Sequence, residues 1–384
     1  MDRTLENHLK LLATKFPVIT LTGPRQSGKS TLVRHAFPEK QYVSCEDPDA
    51  RLFAVQDPRS FLDTYSSAII DEAQKVPEIF SYIQTKVDFT DQPGQYILTG
   101  SHDFLLLEQI SQSLAGRTAV LKLLPFSLTE IYPVSSVKTC EAYLYKGFYP
   151  RLYKMNIAPE HFYSSYVQTY IERDVRLIKN ISDIGRFQLL LRMCAGRVGQ
   201  LLNLSSLANE CGISHTTVKS WIAILEASYI IFLLRPHHIN FNKRLVKMPK
   251  LYFYDTGLAA YLLGIQSVEQ LQTHYCKGGL FESFIISEII KKTFNAGRES
   301  KCYFWRDKNG NEIDCLIEKA DKMIPIEIKS GKTVTKEYFK GVDYYRKLAG
   351  ERAPHPYIVY GGDKEQARKN CHVIPWHHLD KINL

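Results

Sequence analysis

In the stretch Gly23-Pro24-Arg25-Gln26-Ser27-Gly28-Lys29-Ser30-Thr31, the first eight residues fit the pattern G-x-x-x-x-G-K-[ST]. Such a loop can cradle phosphate through its backbone N–H groups, with the following helix dipole aimed at the same anion. Lys29 would reach the β- and γ-phosphates, and the Ser30 hydroxyl would ligate Mg²⁺. Roughly forty residues on, Ala68-Ile69-Ile70-Asp71-Glu72 ends an apolar run in two acids. After a phosphate loop, the first acid supports Mg²⁺ and the second polarises the attacking water, here Asp71 and Glu72. Ser101, after Gln95-Tyr96-Ile97-Leu98-Thr99-Gly100, is either a γ-phosphate sensor or part of a simple turn. Arg117, in Leu114-Ala115-Gly116-Arg117, is either an arginine finger, in its own subunit or a neighbour's, or a surface arginine.

A second set could handle metal and phosphodiester chemistry. Glu282 lies on a segment with a helical pattern, Asp314 on Glu312-Ile313-Asp314-Cys315-Leu316-Ile317, and Glu327 and Lys329 on Ile324-Pro325-Ile326-Glu327-Ile328-Lys329. A helix glutamate, a strand aspartate and E-x-K on the next strand are the order of a restriction-endonuclease-like metal site. Alternation along a strand places Glu327 and Lys329 on one face. Asp314 and Glu327 would hold Mg²⁺ or Mn²⁺, Glu282 would complete the shell, and Lys329 would orient or activate water. Such a core either cuts DNA or only binds it.

These residues need elements to position them. Phe16-Pro17-Val18-Ile19-Thr20-Leu21 reads as a buried strand entering the phosphate loop, and Thr31-Leu32-Val33-Arg34-His35-Ala36 as the helix leaving it. Residues 1–134 alternate strands with helical patterns, as an α/β nucleotide-binding domain does. Residues 135–200 read as a helical region in which Phe162, Tyr166, Tyr170 and Val175 recur at helical spacing, more as core than as a base-stacking platform. Within 201–265, Leu204–Cys211, the turn Gly212-Ile213-Ser214 and the helix from His215 form a helix-turn-helix. Two strand-like runs, Tyr229–Leu234 and Lys250–Tyr254, make it a winged helix. Reading DNA would turn His215, Thr216, Thr217 and Lys219 to the groove, and Arg235, Lys243, Arg244, Lys247 and Lys250 to phosphates. Residues 266–384 hold the endonuclease-like pattern.

Composition narrows the class of protein. The 384 residues call for two or three domains. No run of eighteen uncharged apolar residues would make a transmembrane helix, and Met1-Asp2-Arg3-Thr4-Leu5-Glu6 is no signal core, so a cytoplasmic protein without a membrane partner is expected. Eight scattered cysteines without C-x-x-C spacing read as free thiols. The net charge is −3 over residues 1–134, +8 over 135–255 and +4 over 256–384. The basic middle suits a nucleic-acid partner.

Across nearly its whole length the chain resembles the prokaryotic AAA-type ATPases with a C-terminal DUF4143 region. The resemblance rests on Leu21–Ser30, Ile70-Asp71-Glu72-Ala73-Gln74-Lys75, Leu98-Thr99-Gly100-Ser101 and Leu114–Arg117. Tyr170-Ile171-Glu172-Arg173-Asp174, Tyr252-Phe253-Tyr254-Asp255-Thr256-Gly257-Leu258 and the stretch Phe281–Lys329 also match. It implies an ATPase core, a winged helix and a nuclease-like tail. The expected fold is therefore α/β: a P-loop AAA-type ATPase domain, a helical and winged-helix middle, and a restriction-endonuclease-like core. The expected function is Mg²⁺-dependent ATP hydrolysis acting on double-stranded or branched DNA in a homo-oligomer, with metal-dependent cleavage open. The alternative is a nucleotide-switched DNA- or protein-binding regulator that does not cut.

Overall fold

A computed structural model describes residues 2–101, 113–133, 135, 138–170, 183–237, 246–368 and 371–383. Val175, Lys243, Arg244 and the motif residues Glu172, Arg173 and Asp174 lie outside them. The chain divides into two compact units: Met1–Phe126 with Ala227–Tyr229 and Phe294–Arg298, and Ser127–Glu226 with Ile230–Thr293 and Glu299–Leu384.

The first unit is built on five strands, β1 (Val18–Thr22), β2 (Gln41–Ser44), β3 (Ala68–Asp71), β4 (Tyr96–Gly100) and β5 (Thr118–Lys122). Their order is β2-β3-β4-β1-β5, and every pairing is parallel. β1, β3 and β4 are buried from end to end. That is why they read as unbroken apolar runs and not as alternating ones. Ser66 and Ser67 precede β3 and leave it only four residues long. The core has two parts, one around Phe61, Ile70, Phe80, Ile83 and Leu98, the other around Leu9, Ile19, Leu32, Val33 and Leu121.

The second unit holds an antiparallel pair, β6 (Ile231–Leu234) and β7 (Lys250–Phe253), and a six-stranded mixed sheet. The sheet runs β12 (Gln366–Arg368), β13 (Cys371–Pro375), β11 (Tyr357–Tyr360), β10 (Lys322–Lys329), β9 (Glu312–Lys319), β8 (Cys302–Arg306). β8, β9 and β10 form an antiparallel meander, and β11 joins β10 in parallel. The helices Leu204–Cys211 and His215–Ala227 precede β6. Gly212 closes the first in the left-handed conformation, and Ser214 Oγ accepts from the Thr217 N–H at 3.0 Å to start the second. Ala208, Val218 and Ile222 are buried between them. Phe162, Tyr166 and Tyr170 are buried too, which makes them core residues. All eight cysteines are free. Among the described residues no helix is long and apolar enough to cross a membrane.

Candidate functional sites

Parallel pairing brings the carboxyl ends of β1, β3 and β4 to one edge of the sheet, where ligands of open α/β sheets bind. Gly23 leaves β1 with φ 146°, and a Cβ there would lie 2.1 Å from the Leu123 carbonyl oxygen. Only glycine permits that approach. The loop then enters the helix Lys29–Ala36. Arg3 holds the loop from behind, donating to the carbonyls of Ser27 and Leu124 at 2.7 Å each while lying over the Phe126 ring. Arg25 reaches Glu46 at 3.0 Å. A cavity of about 370 Å³ lined by Ser30, Thr31, Arg34 and His35 adjoins the loop.

Lys29 is buried, and its Nζ donates to the carbonyl oxygens of Gly23 at 2.8 Å and Pro24 at 2.9 Å. Burial pulls its pKa down to about 8, against the opposing charges of Glu72 and Asp71. Asp71 Oδ2 accepts from Ser30 Oγ at 2.8 Å and from the Tyr42 hydroxyl at 2.6 Å, while Thr99 binds Oδ1. The adjacent hydroxyl and carboxylate of Ser30 and Asp71 are the hard oxygen donors that Mg²⁺ takes. Glu72, at φ 54°, turns the chain sharply after β3. Its Oε2 accepts from Ser101 Oγ at 2.9 Å and from Gln74 Nε2. Both described side-chain donors fall on that one oxygen.

The titration of Lys29 predicts a pH dependence. A bound polyphosphate favours the charged ammonium, which the free chain loses above about pH 8. ATP affinity should hold steady near pH 7 and fall about tenfold by about pH 9. Lys29→Arg should flatten that profile. An ATP titration at both pH values checks this, and equal affinities in the unsubstituted chain would refute it.

Of the readings open for Arg117, the fold removes one, a finger within its own subunit. Its carbonyl accepts from the Val18 N–H, so it sits at the opening end of β1 and β5, about 17 Å along the strands from the phosphate loop. Its guanidinium forms a fork with the Asp88 carboxylate. It cannot reach a γ-phosphate in its own chain. Service to a neighbouring copy would first require it to leave Asp88.

In the second unit, antiparallel pairing of β9 with β10 sets Asp314 beside Glu327 and Lys329. Asp314 Oδ2 accepts from the Ile328 N–H at 2.8 Å and from Lys329 Nζ at 3.3 Å, and Lys329 reaches Glu327 Oε1 at 2.6 Å. Glu282 comes from the helix Lys277–Asn295. Gly279 lets that helix approach, since a Cβ there would lie 2.3 Å from the Val198 carbonyl oxygen. The structure therefore brings Glu282, Asp314, Glu327 and Lys329 into one cluster. Burial and the Asp314 charge push the Glu327 carboxyl above its usual range, with Lys329 opposing.

The cluster also contains residues that the sequence reading placed elsewhere or passed over. Lys250, expected to face DNA phosphate, is buried at 4% exposure. Its Nζ lies 2.9 Å from Glu282 Oε1, in contact with Glu312 and 4.0 Å from Asp314 Oδ1. Tyr252 donates its hydroxyl to the same Glu282 oxygen, and Arg306 meets Glu312 at 3.2 Å. Burial works against the charge on Lys250, but the carboxylates outweigh it and raise its pKa far above a free lysine's. An ammonium already stands among the oxygens expected to ligate Mg²⁺ or Mn²⁺, so the cluster does not fit a metal ion. Among the described residues no group of three or more His, Cys, Asp or Glu side chains is arranged to hold one.

Tyr42 and Arg3 gave no signal in the sequence. Thr99 and Gln74 stood inside motifs already singled out. Glu312 was legible as the same-face neighbour of Asp314 on an alternating strand.

On the helix-turn-helix, His215, Thr216 and Lys219 are exposed, while Thr217 is half-buried and engaged with Ser214. A cavity of about 540 Å³ is lined by His215, Lys219, Arg235, Lys247 and Glu226 over an apolar floor that includes Ile222 and Leu233.

Residues 15–132 match the family described as an AAA domain, residues 137–269 a domain of unknown function, DUF8612, and residues 277–379 another, DUF4143. Uncharacterized proteins of Mycobacterium bovis and Mycobacterium tuberculosis are each 29% identical over 324 residues, 83% of this chain and 71% of theirs. An uncharacterized protein of Haemophilus influenzae is 20% identical over 360 residues, 84% of this chain and 86% of its own. Among solved structures, the Walker-type ATPase paby2304 of Pyrococcus abyssi aligns with a TM-score of 0.45 at 16% identity, over 67% of this chain and 94% of that one. AMPPCP-bound DnaA from Aquifex aeolicus aligns with a TM-score of 0.30 at 14% identity, over 58% of this chain and 85% of that one.

Proposed function

We propose that this chain, an AAA-type P-loop ATPase with a C-terminal DUF4143 region, hydrolyses ATP with Mg²⁺ and couples that reaction to binding double-stranded or branched DNA. The observation that carries the ATPase reading is the meeting of Lys29, Ser30, Asp71, Glu72 and Ser101 at one sheet edge.

In this reading the triphosphate draws Lys29 Nζ away from the Gly23 and Pro24 carbonyls onto its β- and γ-oxygens. The backbone N–H groups of Gly28 to Thr31 hold the phosphates at the helix start. Ser30 and Asp71 would hold Mg²⁺, which supplies charge neutralisation of the phosphates. Glu72 keeps its carboxylate fixed through Ser101 and Gln74 while Oε1 accepts a proton-side contact from the attacking water. Ser101 lies on the strand end between β1 and β3, where a hydroxyl can also report the γ-phosphate.

Support for a DNA partner comes from the +8 charge of residues 135–255 and the exposed His215, Lys219, Arg235 and Lys247 around one cavity. Neutralised phosphates release counterions, so affinity should fall steeply with added salt. The variant Lys219→Glu/Arg235→Glu/Lys247→Glu should bind a labelled duplex or four-way junction at least about tenfold more weakly and with a shallower salt slope. Anisotropy titrations at two salt concentrations measure both. Affinity independent of salt, or unchanged by the three reversals, would remove DNA from the proposal and leave a protein-binding, nucleotide-switched regulator.

A further inference from the structure

Every carboxylate of the C-terminal cluster already has a cation from the chain itself. Glu282 and Glu312 meet Lys250, Glu312 also meets Arg306, and Asp314 and Glu327 meet Lys329. Lys250 is the central one. Its side chain is 6% exposed and touches acids from the helix Lys277–Asn295 and from β9. Its backbone is also fixed: Lys250 bridges Leu201, and the Leu251 carbonyl accepts from the Gly199 N–H at 2.8 Å. The ring of Phe304 lies 5.7 Å from the ammonium and closes its other side. A divalent ion drawing on Glu282 and Asp314 would have to sit where this ammonium sits, and like charges repel strongly in so dry a place.

We propose that the Lys250 ammonium stands in for a divalent cation, so that the C-terminal core is a charge-locked fold that binds no catalytic metal and cuts no DNA. The same ion pairs fasten β7, the second strand after the helix pair, to the six-stranded sheet. Losing the ammonium leaves Glu282, Glu312 and Asp314 without their shared cation, and hard oxygen donors then favour Mg²⁺ or Mn²⁺. Lys250 thus decides whether the cluster is a strut or a metal site.

Mn²⁺ titrated calorimetrically into the nucleotide-free full chain tests this without any need for ATP hydrolysis. The unsubstituted protein should show no Mn²⁺ uptake that Asp314→Asn alters, and no Asp314-dependent nicking of plasmid or branched duplex in Mn²⁺. Lys250→Met should take up one Mn²⁺ at least about tenfold more tightly than the unsubstituted chain, and the added Asp314→Asn change should abolish that uptake. Lys250→Arg, which keeps the cation, should behave as the unsubstituted protein. ATP turnover in Lys250→Met reports that the chain has folded. Asp314-dependent Mn²⁺ binding or cleavage by the unsubstituted chain overturns the proposal, whether or not Lys250→Met folds. A folded Lys250→Met that takes up no Mn²⁺ overturns it too.

Discussion

Glu72→Gln should reduce ATP turnover by about 10²–10⁴-fold, the usual contribution of a positioned general base, while leaving ATP affinity within about threefold. The two effects separate because the Glu72 side chain makes no described hydrogen bond to Lys29, Ser30 or Asp71. Its described partners are Ser101 and Gln74, and both donate to Oε2. Glutamine keeps the size of the side chain and one oxygen that can accept from both donors. An amide, however, accepts a water's hydrogen far less strongly than a carboxylate does. Single-turnover hydrolysis and nucleotide titration on the same preparation measure the two quantities. Turnover at the unsubstituted rate would mean that Glu72 does not activate water. The variant should also trap the ATP-bound state, in which nucleotide-dependent DNA binding can be measured without decay.

Lys29→Ala should abolish hydrolysis for a different reason. The side chain is buried beneath the loop, and its ammonium is the charge aimed into the cradle. Deleting one partner of a buried, hydrogen-bonded charge pair costs about 2–5 kcal/mol, so ATP affinity should fall by tens to thousands of fold. The empty chain should tolerate the change well. What Lys29 leaves behind there are the Gly23 and Pro24 carbonyls, which water can reach once the side chain is gone. Near-unchanged melting with ATP binding lost is the expected pair of results. Retained affinity would mean that the triphosphate sits elsewhere. The three readouts are distinct: Lys29→Ala loses binding, Glu72→Gln loses turnover, and Lys250→Met alters neither.

Much of the nucleotide site was legible because its parts are local. The loop, the helix it enters and the acid pair after β3 are each set by residues adjacent in the chain, and glycines at Gly23 and Gly28 announce the turn. Even Ser101 could be placed, since it follows directly on a buried strand. The two helices on either side of Gly212 were readable for the same reason. Gly212 and Ser214 mark the turn, and Ala208, Val218 and Ile222 fall at helical spacing. Glu282, Asp314, Glu327 and Lys329 were found by their order along the chain. Order says which residues can meet, and alternation on a strand says which face they share.

The type of each element, and the residues that its own turn or strand presents, can be read along the chain. Which groups answer them across distance depends on packing. Arg117 looked like a finger because it follows the β4 region in sequence. The parallel register puts it at the opposite end of the sheet, facing Asp88. Lys250 looked like one more basic residue of a DNA-binding wing. Packing of β7 against the helix Lys277–Asn295 and β9 turns it inward, among acids 32 or more residues away. A lysine's sequence neighbourhood carries no record of such a partner. Its charge is the same in solvent or in a buried cluster, and the difference lies wholly in which surfaces the fold brings together.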